Sequence, residues 1–161
     1  MNQKFTVHKK KKKETKEPAV YILAHEIMRG EGALPISYRE IIAAYVSKKN
    51  NSELCFLTHV AICQELGYCG VLDIFTFDDK EFAPLFSFAS KVMNESMSKE
   101  ILNQFVQEGF EIEVAEEIIH IVSIITFINQ LVNSNAFEKI TNNQQSYIGH
   151  YAEMMKKYLF L

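Results

Sequence analysis

Three observations predict an all-α protein. Apolar residues recur at three- and four-residue intervals from residue 20 onward, no alternating strand pattern persists, and Ser, Pro, Asn and Gly fall where helices would start and stop. There is no Gly-rich phosphate loop and no internal repeat. The expectation is one compact domain of six to eight helices over residues 18–161, preceded by a disordered, Lys-rich tail over 1–17.

Pro18 closes the tail, and Val20, Ile22, Leu23, Ile27 and Met28 then mark a first helix that Gly30 and Gly32 end. Residues 30–35 form a loop to Ser37. With Glu40 three residues later, Ser37 makes a capping box for a helix bearing Ile41, Ile42, Tyr45 and Val46, and Asn50 and Asn51 end it. Ser52 caps the next helix, which runs to about residue 66 with Gly67 as its stop. Asp78 or Asp79 caps a helix through Phe82, Leu85, Phe86, Phe88, Ala89 and Val92 to about residue 94, with Pro84 tolerated near its first turn.

Ser98 opens a shorter helix with Ile101, Leu102, Phe105 and Val106 inward and Gly109 as its stop. Residues 114–132 are apolar nearly all round after their opening acids, which suits a helix buried on most sides, with His120 as a core or interface histidine. A last helix over 145–160 carries Tyr147, Ile148, Tyr151, Met154, Met155, Tyr158 and Leu159 along one wide stripe, suited to docking on the domain or on a neighbouring subunit.

Hydrophobic residues make up 48% of the 161 and aromatics 12%, the composition of a globular body. Charge is unevenly placed. The first 17 residues hold 7 Lys and 2 Glu, leaving 10 basic and 18 acidic residues for the rest, a net of −8. The acidic body argues against nucleic acid as the main partner, although the five lysines of 9–13 are a run that an anionic surface can attract. No stretch is long and apolar enough for a signal peptide or a membrane span. Three cysteines, Cys55, Cys63 and Cys69, are an odd set, which argues against a disulfide framework and for the reducing cytoplasm.

The chemistry-bearing residues cluster in 34–67. Cys55 falls in the first turn of one helix and His59 one turn later, on the same face and within reach of each other. Each member also has a plain structural reading: Glu40 as half of the capping box, Ser52 as an N-cap, Cys55 as a small buried hydrophobe, His59 as a core histidine. Cys55, His59 and Cys63 lie at i, i+4 and i+8, but one helix face supplies only three ligands and no fourth lies nearby, so neither a metal nor another cofactor is expected.

The segments 27–30 (IMRG), 34–37 (LPIS), 39–47 (REIIAAYVS), Asn51 and 55–61 (CFLTHVA) resemble the signature of alkylhydroperoxidase D-like proteins. These belong to the carboxymuconolactone decarboxylase superfamily, and the resemblance is to its peroxidase-related branch. The family pattern is Glu, eleven residues, then Cys-x-x-Cys-x-x-x-His. Here Glu40, Cys55 and His59 match the Glu, the second Cys and the His, while Ser52 stands where the first Cys would be. The family's Asn-Arg pair corresponds to Asn129 and Gln130. The resemblance implies a helical subunit assembling as a trimer or hexamer.

It also implies a thiol-dependent peroxidase, or a related thiol oxidoreductase, taking a hydroperoxide substrate and a thiol reductant. Chemistry supports this separately. A thiolate is the nucleophile, so the site is expected to lower Cys55 below its free value of about 8.5, through the positive helix end at Ser52 and through His59, oriented by Glu40. Two alternatives stand beside it. One is a non-redox, carboxymuconolactone decarboxylase-like enzyme in which Glu40 and His59 do acid-base work on a small organic acid. The other is an oligomeric relative without activity.

Overall fold

The computed structural model describes residues 19–68 and 81–134, and within them the chain forms six α-helices and no strand. They are α1 (Ala19–Arg29), α2 (Ile36–Lys49), α3 (Glu53–Glu65), α4 (Ala83–Asn94), α5 (Lys99–Gln107) and α6 (Ile112–Asn133). The tail over 1–17, the Asp78 and Asp79 caps, Cys69 and the helix expected over 145–160 lie outside the described residues.

Helix α2 is the hub. It packs against α1, α3, α4 and α6, and the run from Arg39 to Ala44, with Val46 and Ser47, is buried. The buried run has no solvent face to keep polar, so the polar residues within it must each find a buried partner. Ala43 and Ala44 add little bulk, which lets neighbouring backbones come close, while Ile41, Ile42 and Val46 are fully buried and worth about 2 kcal/mol each in transfer from water. Aromatic rings stack at two places in the core. Tyr45 stacks on Phe86 at 4.4 Å between centroids, and Phe105 lies between Phe88 at 4.2 Å and Phe110 at 4.4 Å.

Arg39 shows how the polar residues of α2 are accommodated. Its guanidinium donates to the carbonyls of Leu34 (3.0 Å), Ile27 (3.2 Å) and Gly30 (2.7 Å) and pairs with Glu117 of α6. The other Glu117 oxygen accepts from the Leu34 backbone N–H at 3.0 Å, so one ion pair ties the loop over 30–35 to α6. Gly32 passes directly over it: a Cβ there would sit 2.5 Å from Arg39 Nη2 and 2.6 Å from Glu117 Oε2. Further along, Ser47 Oγ donates to Asn129 Oδ1 at 3.2 Å, and Asn50 Nδ2 donates to Thr126 Oγ1 at 3.2 Å.

The joint between α2 and α3 is three residues long. Asn51 takes a left-handed conformation, φ 52°, which asparagine tolerates better than most side chains. It lets the Ser52 N–H return to Ser47 O at 2.9 Å and the Asn51 N–H to Lys48 O at 3.1 Å. The same paired closure ends α3, where Gly67 (φ 91°) donates to Gln64 O and Tyr68 to Cys63 O. Ser52 thus completes one helix and begins the next, which folds α3 back along α2.

Several local expectations change. Helix α2 begins at Ile36 behind Pro35, so Ser37 is inside the first turn and caps nothing; Glu40 is drawn instead to α1 and α3. Ser52 occupies the N-cap position of α3 without a capping hydrogen bond, whereas Ser98 does cap α5, accepting from the Ile101 N–H at 3.4 Å. Helix α4 starts at Ala83, with Pro84 in its first turn. Helix α6 is two residues longer at its start and one at its end than the apolar run suggests. It is buried along Ala115, Ile118, Ile121, Val122, Ile124 and Ile125, but Ile112, Phe127 and His120 are exposed, so His120 is not a core histidine.

Replacing Glu117 by Ala leaves Arg39 charged and buried with only carbonyl partners. Losing one member of a buried pair costs about 3 kcal/mol, and urea denaturation should show a loss of that order. A loss below about 1 kcal/mol would mean that the pair does not hold the 30–35 loop.

Candidate functional site

Glu40 and His59 meet between α2 and α3. Glu40 is 1% exposed, and its Oε2 lies 2.6 Å from His59 Nδ1. Its Oε1 pairs with Nη2 of Arg29, the last residue of α1. Burial by itself would raise the Glu40 carboxyl, but His59 and Arg29 outweigh it and hold the group below its ordinary value of 4.5. An ionised carboxylate only accepts hydrogen bonds, so His59 Nδ1 carries a proton and a neutral ring has its lone pair at Nε2, on the far edge from Glu40.

Ser52 and Cys55 form the second half of the site. Cys55 is 9% exposed in the first turn of α3, and Ser52 is 1% exposed at the position before the helix. The Ser52 hydroxyl has no hydrogen-bond partner of normal geometry. It sits beside the Cys55 thiol and favours the thiolate, yet burial prevails and pushes Cys55 above its ordinary 9.0. This reverses the expectation of an acidified thiol. The helix start is present, but the sulfur has left water, and the loss of hydration outweighs what the helix end and one hydroxyl return.

Cys55 and His59 are one turn apart on α3, about 6 Å between Cβ atoms. No direct hydrogen bond joins them among the described residues. Cys63, one turn beyond His59, is completely buried, and its thiol is pushed far up by burial and then by the nearby Glu40 charge. The four residues singled out in the sequence therefore form two contacts, Glu40 with His59 and Ser52 with Cys55, lined up along the first two turns of α3.

Arg29 belongs to this cluster and is not apparent from spacing. An arginine in the last turn of an amphipathic helix reads as an ordinary complement to the helix dipole. Its only sequence signal is its membership of the matched block 27–30.

A groove of about 430 Å³ opens elsewhere, lined by Glu31, Glu111, Glu113, Glu116 and His120 among others. It holds none of the four candidate residues, and its acidic wall disfavours an anionic ligand. Among the described residues no three His, Cys, Asp or Glu side chains are grouped to hold a metal ion, and no helix is long and apolar enough to cross a membrane.

No family model and no curated protein matches the sequence. Among solved structures the fold is similar to that of an uncharacterized peroxidase-related protein from Silicibacter sp. TM1040. The TM-score is 0.63 and the identity 20%, over 73% of this chain and 66% of that one. This chain thus spans just under two thirds of its neighbour's length, and the likeness is one of all-α fold.

Two measurements check the electrostatics. Glu40 binds its proton less tightly folded than unfolded, so its contribution to stability is complete above about pH 4.5 and is lost as pH falls through the lower folded value. Glu40→Gln should flatten the acid side of a stability-versus-pH curve, and an unchanged slope would remove Glu40 as the titrating group. Alkylation of Cys55 in the folded protein should have its midpoint above 9.0, with Cys63 inert until unfolding. A Cys55 midpoint near 7 would contradict the burial argument.

Proposed function

We propose that the protein is a thiol-dependent peroxidase in which Cys55 is the nucleophile, His59 the proton carrier and Glu40 the group that orients His59. The carrying observation is the 2.6 Å contact between Glu40 and His59 Nδ1, which directs the basic edge of the imidazole away from Glu40, one helical turn from Cys55. The fold shared with a peroxidase-related protein supports the same reading.

His59 Nε2 takes the Cys55 proton, directly or through one water, and the thiolate attacks the terminal, hydroxyl oxygen of a hydroperoxide. The O–O bond breaks, the leaving alkoxide or hydroxide takes a proton back from His59, and the sulfur is left as sulfenic acid. Because burial raises the Cys55 thiol, this proton moves during the reaction and is not lost beforehand.

Ser52 cannot close a disulfide, Cys63 is eight residues along α3, a rise of about 12 Å that exceeds bridging distance, and Cys69, outside the described residues, could bridge only if the chain past Gly67 folded back onto Cys55. An external thiol reductant therefore condenses with the sulfenic acid, releasing water, and a second thiol frees Cys55. The reading includes a homo-oligomer, trimer or hexamer, supported by the exposed Ile22 and Leu23 of α1 and Phe127 of α6.

The raised Cys55 thiol favours one competing reading, in which Glu40 and His59 perform acid-base chemistry on a small organic acid and Cys55 is a bystander. Peroxide treatment followed by mass spectrometry separates the two. The peroxidase reading expects a sulfenic acid or mixed disulfide at Cys55 and peroxide turnover with a small thiol. Cys55→Ser should abolish that turnover, and His59→Gln should slow it by about 100-fold or more. Cys55 left unmodified in intact protein would overturn it in favour of the non-redox readings, the acid-base enzyme and the inactive relative.

A further inference from the structure

Arg29 has no step in the proton relay above, yet its side chain is only 4% exposed. Its Nη1 donates to the adjacent Met28 carbonyl at 2.8 Å, its Nη2 pairs with Glu40, and its Nε is buried without a partner. An incompletely satisfied buried cation is a poor means of holding helices together, because apolar side chains of similar volume are often as good or better. Its placement has an electrostatic consequence instead. Glu40 divides its two oxygens between a cation of fixed charge on α1 and a titratable ring on α3.

We propose that Arg29 is a positioning residue that sets the proton affinity of His59, by compensating the buried Glu40 charge so that His59 can be neutral without leaving that charge unpaired. This rests on the reading in which neutral His59 is the working base. Without Arg29, the full Glu40 charge would face His59 alone in a site of low polarity, and the imidazolium would persist to higher pH.

The other ionisable groups around the pair do not take over this role. Cys63 is held uncharged by burial and by Glu40 itself. Cys55 is likewise a neutral thiol at rest. Arg39, the neighbour of Glu40 on α2, is engaged by Glu117 of α6 and by three carbonyls of the α1–α2 region. Arg29 is thus the fixed cation in contact with Glu40 among the described residues.

The test is an NMR titration of the His59 ring in the full chain, assigned among the 5 histidines by a His59→Gln spectrum. Arg29→Gln should raise the His59 midpoint by about one unit, a tenfold change in proton affinity, and move the acid limb of the peroxide-consumption profile upward with it. Arg29→Lys retains the charge and should keep the midpoint near that of the parent. An unchanged midpoint in folded Arg29→Gln overturns the proposal.

If Arg29→Gln does not fold, Glu40→Gln decides. With the carboxylate gone, the His59 midpoint should be higher in the Glu40→Gln, Arg29→Gln double variant than in Glu40→Gln, since burial is common to both, and equal midpoints overturn the proposal. A protein that consumes no peroxide while its His59 midpoints shift as expected loses the peroxidase reading and keeps the role of Arg29.

Discussion

The burial of Glu40 is the constraint on which the site depends. A carboxylate 1% exposed in the middle of the most enclosed helix would cost several kcal/mol if unpaired. It is tolerated because two other helices each bring a partner to one of its oxygens, Arg29 from α1 and His59 from α3. The register of α3 on α2 is therefore set by this charge as well as by apolar packing. A shift of α3 along α2 would break the 2.6 Å contact and leave the buried charge half paired. Fold and candidate chemistry share this one group.

A second buried ion pair lies one residue earlier. Arg39 and Glu117 fasten the 30–35 loop to α6, and that loop leads directly from Arg29 into α2. The two pairs divide the work. Arg39 is held by carbonyls and a carboxylate that fix chain geometry, while Arg29 has few bonds besides the one to Glu40. Consecutive residues on α2, Arg39 and Glu40, thus carry opposite charges to different neighbours. The run from Arg39 to Ala44 is buried on successive faces, so both charges meet protein partners.

Ser52 joins the redox question to the fold. Its backbone is spoken for twice, with the N–H on Ser47 and the C=O accepting from Phe56, each at 2.9 Å. Its hydroxyl is left buried beside Cys55 and does not cap the helix. A thiol in the same place would stand ready to attack an oxidised Cys55, whereas a hydroxyl can only donate or accept a hydrogen bond there. That difference of one atom removes Ser52 as a resolving group in the proposed cycle.

The amino-acid sequence by itself determined the helical class, the order of the helices and most of their ends, because period, caps and stop residues are local properties: Met28 before Gly30, Asn51 and Gly67 at left-handed turns, Ser98 as a working cap. It also singled out Glu40, Cys55 and His59 as a group. What it could not determine was how each polar group is paired. Ser37 and Glu40 have the spacing of a capping box, yet the helix begins two residues too early for it, and Glu40 is claimed by side chains 11 and 19 positions away. The acidity of Cys55 was likewise decided by burial, which depends on what other helices place over the thiol, and the part played by Arg29 by where the end of α1 comes to rest. Desolvation and ion pairing are sums over neighbours in space, and only the tertiary structure names those neighbours.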